Sequence, residues 1–383
     1  MRRICVTVTA RPSYARVKSA LAALKARDDV ELQVATTASA LSESYGQVAG
    51  VMAAEGFPSD RQVPSLVEGR GLLGSVLTTG EGLSGHGRAF DELKPDLVLT
   101  IADRHETIAT AIAAAYLNIP LAHLQGGEVT GSIDEKVRHA ITKLADLHLV
   151  SNEAARLRVE RMGEAPATIH VTGCPSIDVA REALESAPAP EEADIFAHYG
   201  VHGARLDLSA GYVVVMQHPV TTSHAQARAE IEATLAAVSR LDMPVLWFWP
   251  NVDGGADGTT EGIRAWLERL PHVHFFRNMP PMGFIRLLAG ARCIAGNSSV
   301  AIRECAWLGL PAVNIGDRQA GRDRGANVLD VGYDADAIEA AIRRQSARSL
   351  PQGDPIYGDG FAGARIAEVL ATAPLSIAKR LTY

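Results

Sequence analysis

Residues 97–124 read LVLTIADRHETIATAIAAAYLNIPLAHL, and this stretch decides the fold. Its first five residues are a short apolar, strand-forming run. Asp103-Arg104-His105-Glu106 then breaks the run with charge. The alanine-rich segment from Ile108 onward reads as a buried helix, which Asn118 and Pro120 end, and 121–124 reads as a second strand. A strand, a helix and a strand this close together form a βαβ unit, which implies parallel pairing. Because 108–124 is interrupted by Asn118 and Pro120, it does not read as a membrane span.

The same rhythm extends outward. Segments 4–9, 30–36, 147–151 and 169–172 are strand candidates, and the helix after the first places Tyr14, Val17, Leu21 and Leu24 on one face. This order predicts a parallel sheet covered on both faces. A less hydrophobic stretch, 181–194, holds Ala187-Pro188-Ala189-Pro190 and suggests a connection between domains. The alternation then restarts, with strands expected at 212–216, 245–249, 273–276, 293–295 and 312–315. Helices are expected at 224–241, 259–270, 282–290, 299–308 and 335–346. The reading is therefore two α/β domains, 1–178 and 179–363, with a ligand cleft between them at the strand C-termini.

Composition narrows the class. The 383 residues are 47% hydrophobic and 21% charged, enough for two to three domains with cores of their own. A net charge of −7 argues against a nucleic-acid partner but leaves room for a local anion pocket. Cys5, Cys174, Cys293 and Cys305 have no framework spacing, so they read as reduced thiols of a cytoplasmic protein. The N-terminal apolar run stops at Arg11, too short for a signal peptide. Gly69-Arg70-Gly71-Leu72-Leu73-Gly74 matches G-x-G-x-x-G without a clear strand before it. With Gly80, Gly82, Gly85 and Gly87 following, it reads as a mobile loop able to close over a ligand.

Two constellations carry chemistry. His123-Leu124-Gln125-Gly126-Gly127-Glu128 follows a strand, and Ser132 through His139 opens a helix carrying Asp134, Glu135 and Arg138. Joined by Asp103 at another strand end, these carboxylates suit proton abstraction and donation, because neighbouring acids and desolvation push their pKa values apart. The plainer alternative for Asp134 and Arg138 is an i, i+4 ion pair. A metal set of His105, Glu106, His123 and Glu128 is a weaker alternative, lacking a ligand-spacing motif. In the second half, His218 follows a strand, and Gly296-Asn297-Ser298-Ser299 opens a helix whose free N–H groups suit a diphosphate. Asn297 or Ser298 as a plain helix cap fits as well. Glu304, further along this helix, could accept from ribose hydroxyls, and Arg318, Arg322 and Arg324 form a basic loop. Arg11 follows the first strand and could add charge.

These motifs resemble the UDP-N-acetylglucosamine 2-epimerase family: Thr9-Ala10-Arg11, Asp103-Arg104, His123 through Glu128, Ile133-Asp134-Glu135 through Lys143, His218-Pro219-Val220-Thr221-Thr222, Gly296 through Ser299 with Arg303-Glu304, and Gly316 through Gln319. The motif 133–143 resembles the hydrolysing branch, of the type serving sialic and legionaminic acid synthesis. The resemblance implies two Rossmann-like domains in a glycosyltransferase-B-like architecture, with a C-terminal helix, 364–383, returning to the first. It implies a nucleotide-sugar substrate, no metal, no cofactor, and a homodimer or homotetramer. Asp103, Glu128, Asp134 and Glu135 would supply the acid/base groups, supported by Arg138, with His218 assisting diphosphate departure. Arg11, Asn251, Asn297, Ser298, Ser299, Glu304 and Arg318 would hold the substrate. The reaction implied releases a free 2-epimerised sugar and the nucleoside diphosphate. A non-hydrolysing epimerase, a glycosyltransferase of the same fold and a non-catalytic nucleotide-sugar binder are the alternatives. Ala102 stands where the family has Gly, His105 where an aromatic is common, and the segments 254–258 and 279–283 are also unusual.

Overall fold

The computed structural model describes residues 1–129, 133–220, 226–250, 256–277, 279–349 and 353–382. Contacts divide the chain into two units. One takes in Met1–Val129, Ile133–Asp178 and Gly358–Tyr383, and the other Val179–Tyr357.

The first unit is built on β1 (Arg2–Val8), β2 (Val30–Thr37), β3 (Arg61–Val63), β4 (Leu97–Ile101), β5 (Leu121–Leu124), β6 (Leu147–Val150) and β7 (Ile169–Val171). Their order is β3-β2-β1-β4-β5-β6-β7, every pair parallel. Alternate residues feed two cores. Ile4, Val6, Leu97, Leu99 and Leu124 meet Leu21 and Leu24 together with Ile366 and Leu370 of the C-terminal helix. On the other face Cys5, Val98 and Leu121 meet Phe90, Ala111 and Ile141. Strands buried on both sides explain the near-continuous apolar runs.

The second unit holds β8 (Gly200–His202), β9 (Val213–Met216), β10 (Val245–Phe248), β11 (Val273–Phe276), β12 (Cys293–Gly296), β13 (Ala312–Ile315) and β14 (Val328–Val331). Their order is β14-β13-β12-β9-β10-β11-β8, and β8 runs antiparallel to β11. The sheet is therefore mixed at one edge, where the sequence reading expected parallel strands alone. Both sheets wind outward from their first long strand, β1 or β9, and then restart on its other side at β4 or β12. Each so creates a switch point, where loops at the strand C-termini diverge and leave a crevice.

Three expectations need correction. The glycine-rich segment is no mobile loop but the longest helix described, Gly71–Leu93. A Cβ on Gly85 would lie 2.3 Å from Val63 Cγ1, and one on Gly82 3.3 Å from the Ala109 Cβ. These glycines bring the helix close to β3 and to the helix Thr107–Tyr116. The expected helix 299–308 is a 3₁₀ turn, Ser299–Ala301, and a separate short helix, Glu304–Leu308. The C-terminal helix spans only Ala362–Thr372, ahead of Pro374, and 374–382 continue without helix. Its first N–H groups, from Ala362 and Gly363, donate to the Asp178 carboxylate at 2.8 and 2.6 Å.

The two kinds of glycine in the long helix separate by experiment. Gly85→Ala is expected to destabilise by about 1–3 kcal/mol through overpacking. Gly80, with no atom within 4 Å of a Cβ, is expected to gain up to about 1 kcal/mol as Ala. Urea unfolding of the two variants checks both signs.

Candidate active site

In the first unit the proposed acids arrive from strand ends. β4 runs into Ala102, which adopts a left-handed conformation with φ 60°. That costs a non-glycine residue about 1 kcal/mol or more and aims the chain abruptly at Asp103. The turn is held from β5. His123 Nε2 donates to the Ala102 carbonyl at 2.9 Å, while its Nδ1 accepts from the Thr142 hydroxyl at 3.1 Å. Since a carbonyl can only accept, this pairing fixes the neutral tautomer. After β5, Gly127 lies so close to the Ala155 carbonyl that a Cβ would sit 2.4 Å from it, and its φ is +75°. Only glycine fits there, and the chain can then bury Glu128.

Arg138 joins these pieces. Its guanidinium ion-pairs with Asp103 and donates to the Glu128 carbonyl at 2.8 Å, with the side chain only 2% exposed. The Glu128 carboxylate accepts from the Ser151 hydroxyl at 2.6 Å. The structure thus brings together Asp103, Glu128 and Arg138, and adds Ser151 from the end of β6, which the sequence reading did not single out. Asp134 and Glu135 sit one turn before Arg138 on the helix Ile133–Leu144, half-buried, with Glu135 3.3 Å from His139 Nε2. Arg11 is exposed, at the start of the helix Arg11–Ala15 after β1. Glu106 is taken up by Arg104 at 2.6 Å and His105 at 3.1 Å. Burial pushes its carboxyl up, but Arg104 and His105 beside it bring it below the ordinary value. With His123 spent on Ala102 and Thr142, and Glu106 on its neighbours, the metal alternative finds no ligand set among the described residues.

The second unit places its residues at the corresponding switch point, between β9 and β12. Gly296 has φ +134°, and a Cβ there would lie 2.1 Å from the Met216 carbonyl oxygen, so only glycine lets these strand ends close. Asn297 then clamps the loop after β9. Its Oδ1 accepts from the His218 N–H at 2.7 Å and its Nδ2 donates to the His218 carbonyl at 2.8 Å. Its own carbonyl accepts from Arg318 at 3.0 Å and from Gln319 at 2.9 Å. Both ends of the Asn297 amide are thus engaged with backbone. Ser298 Oγ caps the 3₁₀ turn, accepting from the Val300 N–H at 3.4 Å. Ser299 Oγ accepts from Arg303 at 2.9 Å, and Glu304, 7% exposed, opens the next helix. Because this turn is so short, the helix dipole expected from sequence is largely missing here. Hydroxyls, backbone N–H groups and arginines remain as the local donors. Asn251 lies outside the described residues, as do Thr221 and Thr222.

A model of the family described as UDP-N-acetylglucosamine 2-epimerase matches residues 22–371. The chain belongs to that family. It is 31% identical over 98% of its length, and 97% of the relative's, to UDP-N,N'-diacetylbacillosamine 2-epimerase (hydrolyzing) of Legionella pneumophila. It is 30% identical to UDP-N-acetylglucosamine 2-epimerase of Neisseria meningitidis, over 97% of this chain and 95% of that one. A crystal structure of UDP-GlcNAc 2-epimerase from Neisseria meningitidis, bound to UDP-GlcNAc, superposes with a TM-score of 0.82 at 18% identity, covering 97% and 99% of the two chains. At that identity the likeness is one of fold, a glycosyltransferase-B-like pair of Rossmann-like domains. Among the described residues no helix of this epimerase-family chain is long and apolar enough to cross a membrane.

Burial sets the charge state of this family member's histidines. It lowers His123 and His86 to about 3 and about 4, and, with the Arg318 charge, lowers His218 to about 3. All three are therefore neutral near pH 7. The unfolded chain takes up these protons near pH 6.5 while the folded chain does not. Stability is therefore full above about pH 6.5 and falls as pH drops toward 4. Each histidine contributes about 1.4 kcal/mol per pH unit around pH 5. His123→Gln keeps a donor for Ala102 and an acceptor for Thr142, and is expected to remove that share of the slope in urea unfolding between pH 6 and 5.

Proposed function

We propose that this chain is a hydrolysing 2-epimerase of a nucleoside-diphosphate N-acetylhexosamine, UDP-N-acetylglucosamine or a 4-acetamido-4,6-dideoxy relative. The observation that carries the reading is the cluster at the first switch point, where one buried guanidinium joins Asp103 to the Glu128 loop. Adjacent carboxyl groups in a desolvated crevice are suited to remove one proton and deliver another. The motif 133–143 favours the hydrolysing branch, and the name of the Legionella relative agrees with it.

The reaction proposed has two steps. The anomeric C1–O bond breaks and its electron pair leaves with the nucleoside diphosphate. One of the carboxylates among Asp103, Glu128, Asp134 and Glu135 takes the C2 proton, giving a 2-acetamidoglycal. Water then adds its oxygen at C1, and C2 is reprotonated on the opposite face. The products are the free manno-configured 2-acetamido sugar and the diphosphate. Because C2–H is hardly acidic in the ground state, stabilising the departing charge is central. In this reading His218, Ser298, Ser299 and the nearby arginines do so, and Glu304 holds the ribose. Asn297 acts by holding His218 in place.

Incubation with candidate nucleotide sugars in D₂O, followed by NMR, tests this. Free manno-configured sugar with deuterium at C2 and released diphosphate is expected. An epimerised sugar still carrying its nucleotide would replace the reading with the non-hydrolysing reaction, and turnover only with an added acceptor would replace it with glycosyl transfer. Glu128→Gln is expected to lower kcat by about 10²–10⁴-fold, the usual contribution of a general acid or base, while UDP binding changes little. Near-normal turnover in that variant would remove Glu128 from the chemistry.

A further inference from the structure

Beyond the helix Ala362–Thr372 the chain does not trail away. Residues 374–382, largely exposed, belong to the first unit and deliver Lys379 to a buried carboxylate, Glu164, whose side chain is 4% exposed. Lys379 Nζ is 2.5 Å from Glu164 Oε2, and Thr382 Oγ1 reaches the Glu164 carbonyl at 3.4 Å. Glu164 also accepts from Lys143 at 2.5 Å and from His148 Nε2 at 3.1 Å. Burial pushes the Glu164 carboxyl up, but the hydrogen bonds from His148, Lys143 and Lys379 hold it at about 2. The carboxylate is thus charged, and three side chains from three segments depend on it.

The same ammonium group also reaches the C-terminal end of the helix Ile133–Leu144. Lys379 Nζ donates to the Thr142 carbonyl at 3.4 Å and to the Ala145 carbonyl. These are last-turn carbonyls without a partner inside the helix, where a cation is favoured by both hydrogen bonding and the helix dipole. This helix carries Asp134 and Glu135 near its other end and Arg138 at its middle, and the Thr142 hydroxyl holds His123, which holds Ala102 beside Asp103. A continuous set of contacts therefore runs from the C-terminal segment to the carboxylates.

We propose that Lys379 is a positioning residue: the C-terminal segment latches onto Glu164 and the end of the helix Ile133–Leu144, and so sets the helix that presents Asp134, Glu135 and Arg138. Its catalytic consequence rests on the acid/base role proposed above for these groups, whereas the latch itself does not. Small displacements of reacting groups cost rate steeply, so the effect falls on kcat rather than on nucleotide binding.

The test compares Lys379→Met and Lys379→Arg in the full chain. Lys379→Met is expected to lower kcat about 10- to 100-fold, leaving KM and the UDP dissociation constant within about threefold. Lys379→Arg, which keeps the charge and the donors, is expected to recover most of the loss. Hydrogen exchange followed by mass spectrometry reads the latch without activity. Lys379→Met is expected to speed exchange at least fivefold across 133–145 while 299–308 stays as it was. Unchanged exchange across 133–145, or a rise spread over both units, would overturn the latch. Faster exchange there with kcat within twofold of the parent would overturn the positioning role. If the parent chain turns over no nucleotide sugar at all, the functional reading fails and the exchange comparison still decides the latch.

Discussion

Arg138 is a permanent cation buried to 2% exposure, and the surrounding segments are arranged around that fact. Removing a guanidinium from water costs several kcal/mol unless its charge is met and its N–H groups are directed at acceptors. Here the charge is met by Asp103, at the end of β4, and one N–H by the carbonyl of Glu128, after β5. Each group is placed by a particular backbone turn beside it. Ala102 accepts a left-handed backbone to turn toward Asp103, and Gly127 forgoes a side chain so that the Glu128 loop can lie against Ala155. The arginine, in turn, comes from a helix whose far end is tied down by Glu164 and Lys379.

The second unit answers the same geometric problem with a neutral amide after β12. There the strand ends are closed by Gly296, and Asn297 supplies an amide that mimics backbone and ties down His218. An amide suits that position because it both accepts from the His218 N–H and donates to the His218 carbonyl, which an ionised carboxylate cannot do. Two sheets of like winding thus arrive at different chemistry, one rich in carboxylates and one rich in donors. That division is the basis of the proposed function.

The strands in the middle of each sheet were legible because burial on both faces demands apolar, β-branched runs, and β4, β5, β11 and β13 fall where the sequence placed them. The strands it missed, β3, β8 and β14, all lie at sheet edges, where a short half-polar segment such as Arg61–Val63 has no such demand on it. The helix Gly71–Leu93 was misread for a related reason. Glycine has low helix propensity, and nothing local reveals that Val63 and Ala109 leave no room for a Cβ. Among the candidate site residues, charge and position after a strand marked Asp103, Glu128, Arg138 and His218. Ser151, Glu164 and Lys379 carried no comparable mark, because each matters only through a neighbour distant in sequence.

The sequence by itself determined the α/β class, the restart of the rhythm in a second domain, the family, and the chemical inventory: carboxylates in the first half, donors and arginines in the second. These follow from periodicity and from motifs short enough to be read in a line. Only the tertiary structure decided which of those groups meet. Arg138 bonding Asp103 rather than solvent, Asn297 spent on the His218 backbone, and a tail lysine capping the helix of the proposed acids are all contacts between segments distant in sequence. The physical reason is that hydrogen bonds and ion pairs depend on distance in space. The order of strands in the sheet, which local sequence does not encode, sets those distances.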